Sequence, residues 1–105
     1  MKNVSYFDAI TVEVDGEIES IVPEFLENRA KDCEQITRLL EKGEFCELRT
    51  LGHRMKGAGG SYGFDGISEI GEIIEEAALE CDGPTITNAA QRLVEYLKRV
   101  TVVYV

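Results

Sequence analysis

Positive charge is scarce in this chain. Of 105 residues, eleven are Lys or Arg against twenty Asp or Glu, which leaves a net charge of −9 and a pI ≈ 4.5. Such a surface is repelled by nucleic-acid phosphates and by anionic lipid, so both are excluded as partners. Long apolar runs are absent too. None approaches the roughly 18 residues needed to span a bilayer. Residues 1–17, which carry Asp8, Glu13, Asp15 and Glu17, lack the apolar stretch of a secretion signal. A cytoplasmic location is the default expectation. Cysteine is limited to Cys33, Cys46 and Cys81, an odd number with no two close in sequence. A disulfide framework is therefore excluded, and reduced thiols are expected. These cysteines and the single histidine, His53, form a nominal four-ligand zinc set. A structural zinc site usually contains at least one C-x-x-C-like pair, none is present, and no metal is expected. Tryptophan is absent and there are two prolines; no repeat, low-complexity tract or linker interrupts the chain. This length makes one domain, and an apolar fraction of 44% suffices for a packed core.

What is present is mostly helical periodicity. Val22, Phe25, Leu26, Cys33, Ile36, Leu39 and Leu40 form one apolar stripe at three- and four-residue steps. Pro23 suits its first turn and Gly43 follows its last. A short turn over 17–21 precedes it. Phe45, Leu48, Leu51, Met55, Ala58 and Tyr62 form a second stripe. Ile67, Ile70, Ile74, Ala77 and Cys81 form a third, with Asp65 as expected N-cap. Cys81-Asp82-Gly83-Pro84 ends that helix and starts another. The fourth stripe is Ile86, Ala89, Ala90, Leu93, Tyr96, Leu97 and Val100. Four amphipathic helices with short loops predict an all-α, antiparallel up-down four-helix bundle over 17–105, with residues 1–16 as an N-terminal extension. The ends are extended in character: Ile10–Val14 alternates apolar and polar, and Thr101–Val105 is β-branched and aromatic. They either pair as a short ribbon or stay disordered.

The second helix carries the chemical information. With His53 at zero on a helical wheel, its apolar residues fall between about 140° and 220°, so His53 points away from the core. Arg49, Lys56, Gly57, Gly60 and Cys46 share its outer face. Gly57, Gly59, Gly60 and Gly63 lie in or beside the helical period, each opposing helix by about 0.8–1 kcal/mol relative to Ala. Bare backbone beside an exposed imidazole suits the close approach of another protein. A P-loop is excluded, because Lys56 precedes its glycine instead of following one. A dinucleotide fingerprint fails at its last position and opens no βαβ unit. Hydrolytic chemistry would pair His53 with Ser61, but Ser61 lies more than two turns away, too far for contact.

The run His53-Arg54-Met55-Lys56-Gly57-Ala58-Gly59-Gly60-Ser61-Tyr62-Gly63 resembles the H-x-x-K-G-x-x-x-x-x-G signature of histidine-containing phosphotransfer (HPt) domains. Ile67, Ile70, Ile74, Glu75 and Ala78 continue that pattern in phase; Gly71 stands where the family usually has alanine. The resemblance covers about residues 20 to 100. It implies a four-helix bundle whose exposed histidine accepts a phosphoryl group from a receiver-domain aspartate and passes it to another receiver. On that footing His53 is the expected phosphoacceptor, through Nε2, and Lys56 stabilises the phosphoryl group. Gly57, Gly60 and Gly63 are expected to shape the docking surface, and Arg49, which the signature does not require, to add positive potential there. The expected partners are response-regulator receivers and a hybrid sensor histidine kinase. No cofactor is expected on this chain, with Mg²⁺ carried by the receiver. A monomer without autokinase activity is expected, since no ATP-binding sequence is present; Glu75 is given no chemistry. A helical adaptor that has lost phosphotransfer is the competing reading. The residues fit the chemistry independently, since imidazole titrates near neutrality and a cation one turn away can pair with phosphoryl oxygens.

Overall fold

A computed structural model describes residues 9–105. Ile10–Val14 forms strand β1, followed by a 3-10 turn over Gly16–Ile21. Four helices come next: α1 (Val22–Lys42), α2 (Phe45–Tyr62), α3 (Asp65–Leu79) and α4 (Gly83–Arg99). Strand β2 (Val100–Tyr104) follows without a break.

Each boundary has a local cause. The Asp15 carboxylate accepts a bond from the Glu17 N–H at 2.9 Å and opens the 3-10 turn. Pro23 occupies the first turn of α1, where its missing N–H is harmless. Gly43 closes α1 in the left-handed region at φ 69°, and Gly63 does the same for α2 at φ 87°. At the head of α4 the Asp82 carboxylate accepts from the Thr85 N–H at 3.2 Å and from the Thr85 hydroxyl at 2.6 Å.

Two sequence expectations need correction. Asp65 is not the N-cap of α3. It is the first helical residue, and Phe64 holds the cap position without a side-chain bond. Phe64 is fully buried and stacks on Phe25 at 5.3 Å between ring centroids, with Tyr62 on the other contact of Phe25 at 4.6 Å. Burial of that ring fixes the entry of α3. Asp65 still places its charge at the helix N-terminus, where it is favourable. Cys81 does not extend the third buried stripe. The helix ends at Leu79, and Cys81 is exposed at φ 54°, because the chain reverses there into the Asp82 cap.

The core lies among the four helices: Phe25, Ile36, Leu48, Met55, Phe64, Ile67, Ile74, Ile86 and Leu93 are all buried. The chain ends join this core. β1 and β2 pair in parallel, with Ile10 opposite Val100 and Val14 opposite Tyr104. Parallel neighbours need a crossover, and the whole helical bundle supplies it. Ile10, Val12, Val100, Val102 and Tyr104 turn inward against the core, and Val14 is buried within it. The ribbon alternative is thus the one found for 10–14 and 100–104; residues 1–8 lie outside the described residues. Among the described residues no helix is long and apolar enough to cross a membrane.

The Asp82 cap makes the acid stability of the domain testable. Both bonds from Thr85 favour the ionised carboxylate and hold its pKa below the usual value. A depressed folded-state pKa gives stability above the unfolded pKa of about 3.9, lost as pH falls through the folded value. Asp82→Asn keeps a capping oxygen but cannot titrate. Wild type is expected to be the more stable above pH ~5 and to lose that advantage below pH ~4 in paired urea melts. A difference constant from pH 7 to 3 counts against the cap.

Candidate functional site

The site is built where α2 meets α3. Two glycines set the distance between them. A Cβ on Gly52 would lie 2.6 Å from the Glu75 backbone nitrogen and 2.8 Å from the Gly71 oxygen. A Cβ on Gly71 would lie 2.5 Å from the Lys56 nitrogen and 2.8 Å from the Gly52 oxygen. Gly59 meets the Ser68 backbone in the same way. The two backbones therefore touch, which no other residue type permits at these positions. At Gly71 the crossing leaves no room for a methyl group.

That close crossing brings carboxylates of α3 across to α2. Glu75 Oε2 lies 3.0 Å from His53 Nδ1. The His53 side chain is 72% exposed, whereas Glu75 is 19% exposed. An ionised carboxylate can only accept, so Nδ1 carries the proton and donates. In neutral imidazole the lone pair then sits on Nε2, the other ring nitrogen. One turn further along α2, Lys56 Nζ lies 3.5 Å from Glu72 Oε2, and the Ser68 hydroxyl donates to the Lys56 carbonyl at 2.9 Å.

Side chains on a helix lean toward its N-terminus. The His53 ring accordingly shares an open hollow of about 430 Å³ with Arg49, Thr50, Cys46 and Glu75. Arg49 is exposed at this rim. Gly57 and Gly60 are exposed on the other side of His53. Among the described residues, a Cβ at Gly57 would meet nothing within 4 Å, and one at Gly60 only the Ser68 hydroxyl at 3.8 Å. No contact among the described residues calls for glycine at either position. Gly63 differs: its positive φ explains it by backbone geometry alone. His53, Lys56 and Arg49 are thus brought to one face, with Gly57 and Gly60 beside them.

Sequence reasoning missed Glu72 and Gly52, gave Glu75 no chemistry, and named Gly71 only as a departure from alanine. Their signal was present. Gly52 and Gly71 fall on the core-facing sides of adjacent helices, where two small residues mark a close crossing. Once that crossing is fixed, the α3 side chains opposite His53 and Lys56 follow. Among the described residues no group of three or more His, Cys, Asp or Glu side chains is placed to hold a metal ion.

Comparison with known proteins adds one finding. A family model described as "Hpt domain" matches residues 20–101. No match was found among curated proteins or among solved structures.

Proposed function

The chain belongs to the Hpt domain family, whose members carry out histidine phosphotransfer in phosphorelays, and from that premise we propose that His53 is the phosphoacceptor. One observation carries the reading: His53 is exposed while its Nδ1 is tied to Glu75 at 3.0 Å, leaving Nε2 as the outward nucleophile. The donor is an aspartyl phosphate on a receiver domain that also carries Mg²⁺. The Nε2 lone pair forms the N–P bond as the acyl P–O bond breaks, and the receiver aspartate leaves as a carboxylate. Reversal onto a second receiver completes the relay.

Phosphoryl transfer depends on positioning and charge stabilisation. Lys56 stabilises the phosphoryl oxygens, and Arg49 adds positive potential at the rim. Gly57 and Gly60 keep the helix surface bare so that the receiver backbone reaches His53, and Gly63 bounds that face. The four helices are read as alternating up and down, because Gly43–Glu44 and Gly63–Phe64 are too short to cross the bundle. The setting that fits is a cytoplasmic monomer served by receiver domains and a hybrid sensor kinase.

The test is a transfer assay with a panel of aspartate-phosphorylated receivers and Mg²⁺. Acid-labile, alkali-stable label on the chain supports the relay. Capture of receivers in a pull-down without label from any of them favours a docking adaptor instead. Glu75 provides a second check. Glu75→Ala is expected to slow uptake about 10- to 100-fold, since Nδ1 loses the acceptor that fixes ring and tautomer. Stability changes little, because the pair sits at the surface. Unchanged uptake by this variant removes Glu75 from the mechanism.

A further inference from the structure

Lys56, the cation expected to hold the phosphoryl group, is already engaged, 3.5 Å from Glu72 Oε2. Both groups are about half exposed, at 43% and 49%, so the pair is readily exchanged. Glu72 and Glu75 lie one turn apart on α3; Glu75 reaches His53 and Glu72 reaches Lys56, one turn further along α2. A phosphoryl group on Nε2 that is to be held by Lys56 therefore has to compete with the Glu72 carboxylate for that cation. We propose that Glu72 is a competing counterion for Lys56 that keeps the phosphoryl group on His53 weakly held and so transferable. The inference rests on His53 being the acceptor and deepens that reading by naming a positioning residue that tunes it.

The sequence of events balances. In the resting state the Lys56 ammonium pairs with Glu72. As the N–P bond forms, the ammonium shifts to a phosphoryl oxygen and the Glu72 carboxylate is released to water. When the phosphoryl group leaves for a second receiver, Lys56 returns to Glu72. The returning pair partly offsets the loss of the phosphoryl contact, so neither direction of transfer is trapped. A relay intermediate needs that near-balance, because an acceptor that holds its phosphoryl group too tightly does not pass it on.

Glu72→Gln should free Lys56 for the phosphoryl group. The donor for the test is phosphoramidate, whose N–P bond breaks with release of ammonia and which has no docking surface to confuse the result. Initial uptake is expected to rise and the lifetime of the phosphohistidine to lengthen. The product of the two gains should be about two- to fivefold, the range of an exposed ion pair. Damage to the fold would lower both. In a Lys56→Ala background the gain should vanish, and Glu76→Gln, which removes a neighbouring exposed charge of α3, should not reproduce it. Wild type labelled on His53 with no gain in Glu72→Gln overturns the inference and leaves the acceptor reading standing. So does a gain that survives Lys56→Ala. Wild type left unlabelled by phosphoramidate and by every receiver overturns both.

Discussion

His53→Gln is expected to take up no phosphate from any donor while melting within about 3 °C of wild type. The two halves of this result have separate causes. Uptake is lost because an amide has no ring nitrogen with a free lone pair, and no second histidine exists in the chain. Stability is kept because the side chain is 72% exposed and Glu75 is its one hydrogen-bond partner among the described residues. Surface substitutions of this kind usually stay within about 0.5 kcal/mol, and for a domain near this size 1 kcal/mol moves the melting temperature by about 4–8 °C. Calorimetry and a label assay on the same preparation check both halves. A fall as large as that of a core truncation, which costs about 3–5 kcal/mol for a buried phenylalanine such as Phe64, would place His53 in a structural role. Residual label in His53→Gln would move the acceptor elsewhere.

The outward position of His53 was legible in the sequence because it depends only on local geometry. The apolar residues of α2 repeat every three or four positions, so the opposite face is known once the helix is known. The same logic located all four helices, the Pro23 boundary and the αL cap at Gly43. It failed where one element answers to another. Asp65 has the residue type of an N-cap, but the aromatic cluster of Phe25, Tyr62 and Phe64 decides where α3 begins. Cys81 continues a period of three and four, but the helix stops first because Asp82 caps the next one. Glu75 reads as one solvated charge among many on an acidic chain; only the α2–α3 crossing gives it a partner 22 positions away. The direction of the terminal ribbon has the same character. Alternation predicts a strand, while its parallel pairing depends on where the bundle delivers its two ends.

Glycines of α2 that look alike in sequence should respond to mutation in opposite ways, and this is the second large effect expected. Helix propensity alone favours alanine over glycine by about 0.8–1 kcal/mol at an interior position. At Gly57 nothing among the described residues opposes that gain, since a Cβ there meets none of them within 4 Å. Gly57→Ala should stabilise the domain by nearly that amount. A larger side chain such as Leu at the same position should leave the fold intact and reduce transfer from receivers, because the bare surface is occupied. Uptake from phosphoramidate, which needs no docking, should be unaffected. At Gly52 the same methyl group would lie 2.6 Å from a backbone nitrogen and 2.8 Å from a backbone oxygen of α3. Backbone atoms cannot rotate away as a side-chain tip can, so the helices must separate. Overpacking of this kind costs about 1–3 kcal/mol, occasionally more, and outweighs the propensity gain. Gly52→Ala is therefore expected to lower stability by about 1–2 kcal/mol. It should also slow phosphoramidate uptake, because a wider crossing draws Glu75 away from His53 Nδ1. Urea melts and uptake rates on the two alanine variants test the contrast directly. Equal stabilisation of both would show that the α2–α3 crossing is looser than described and that Glu75 does not owe its place beside His53 to it.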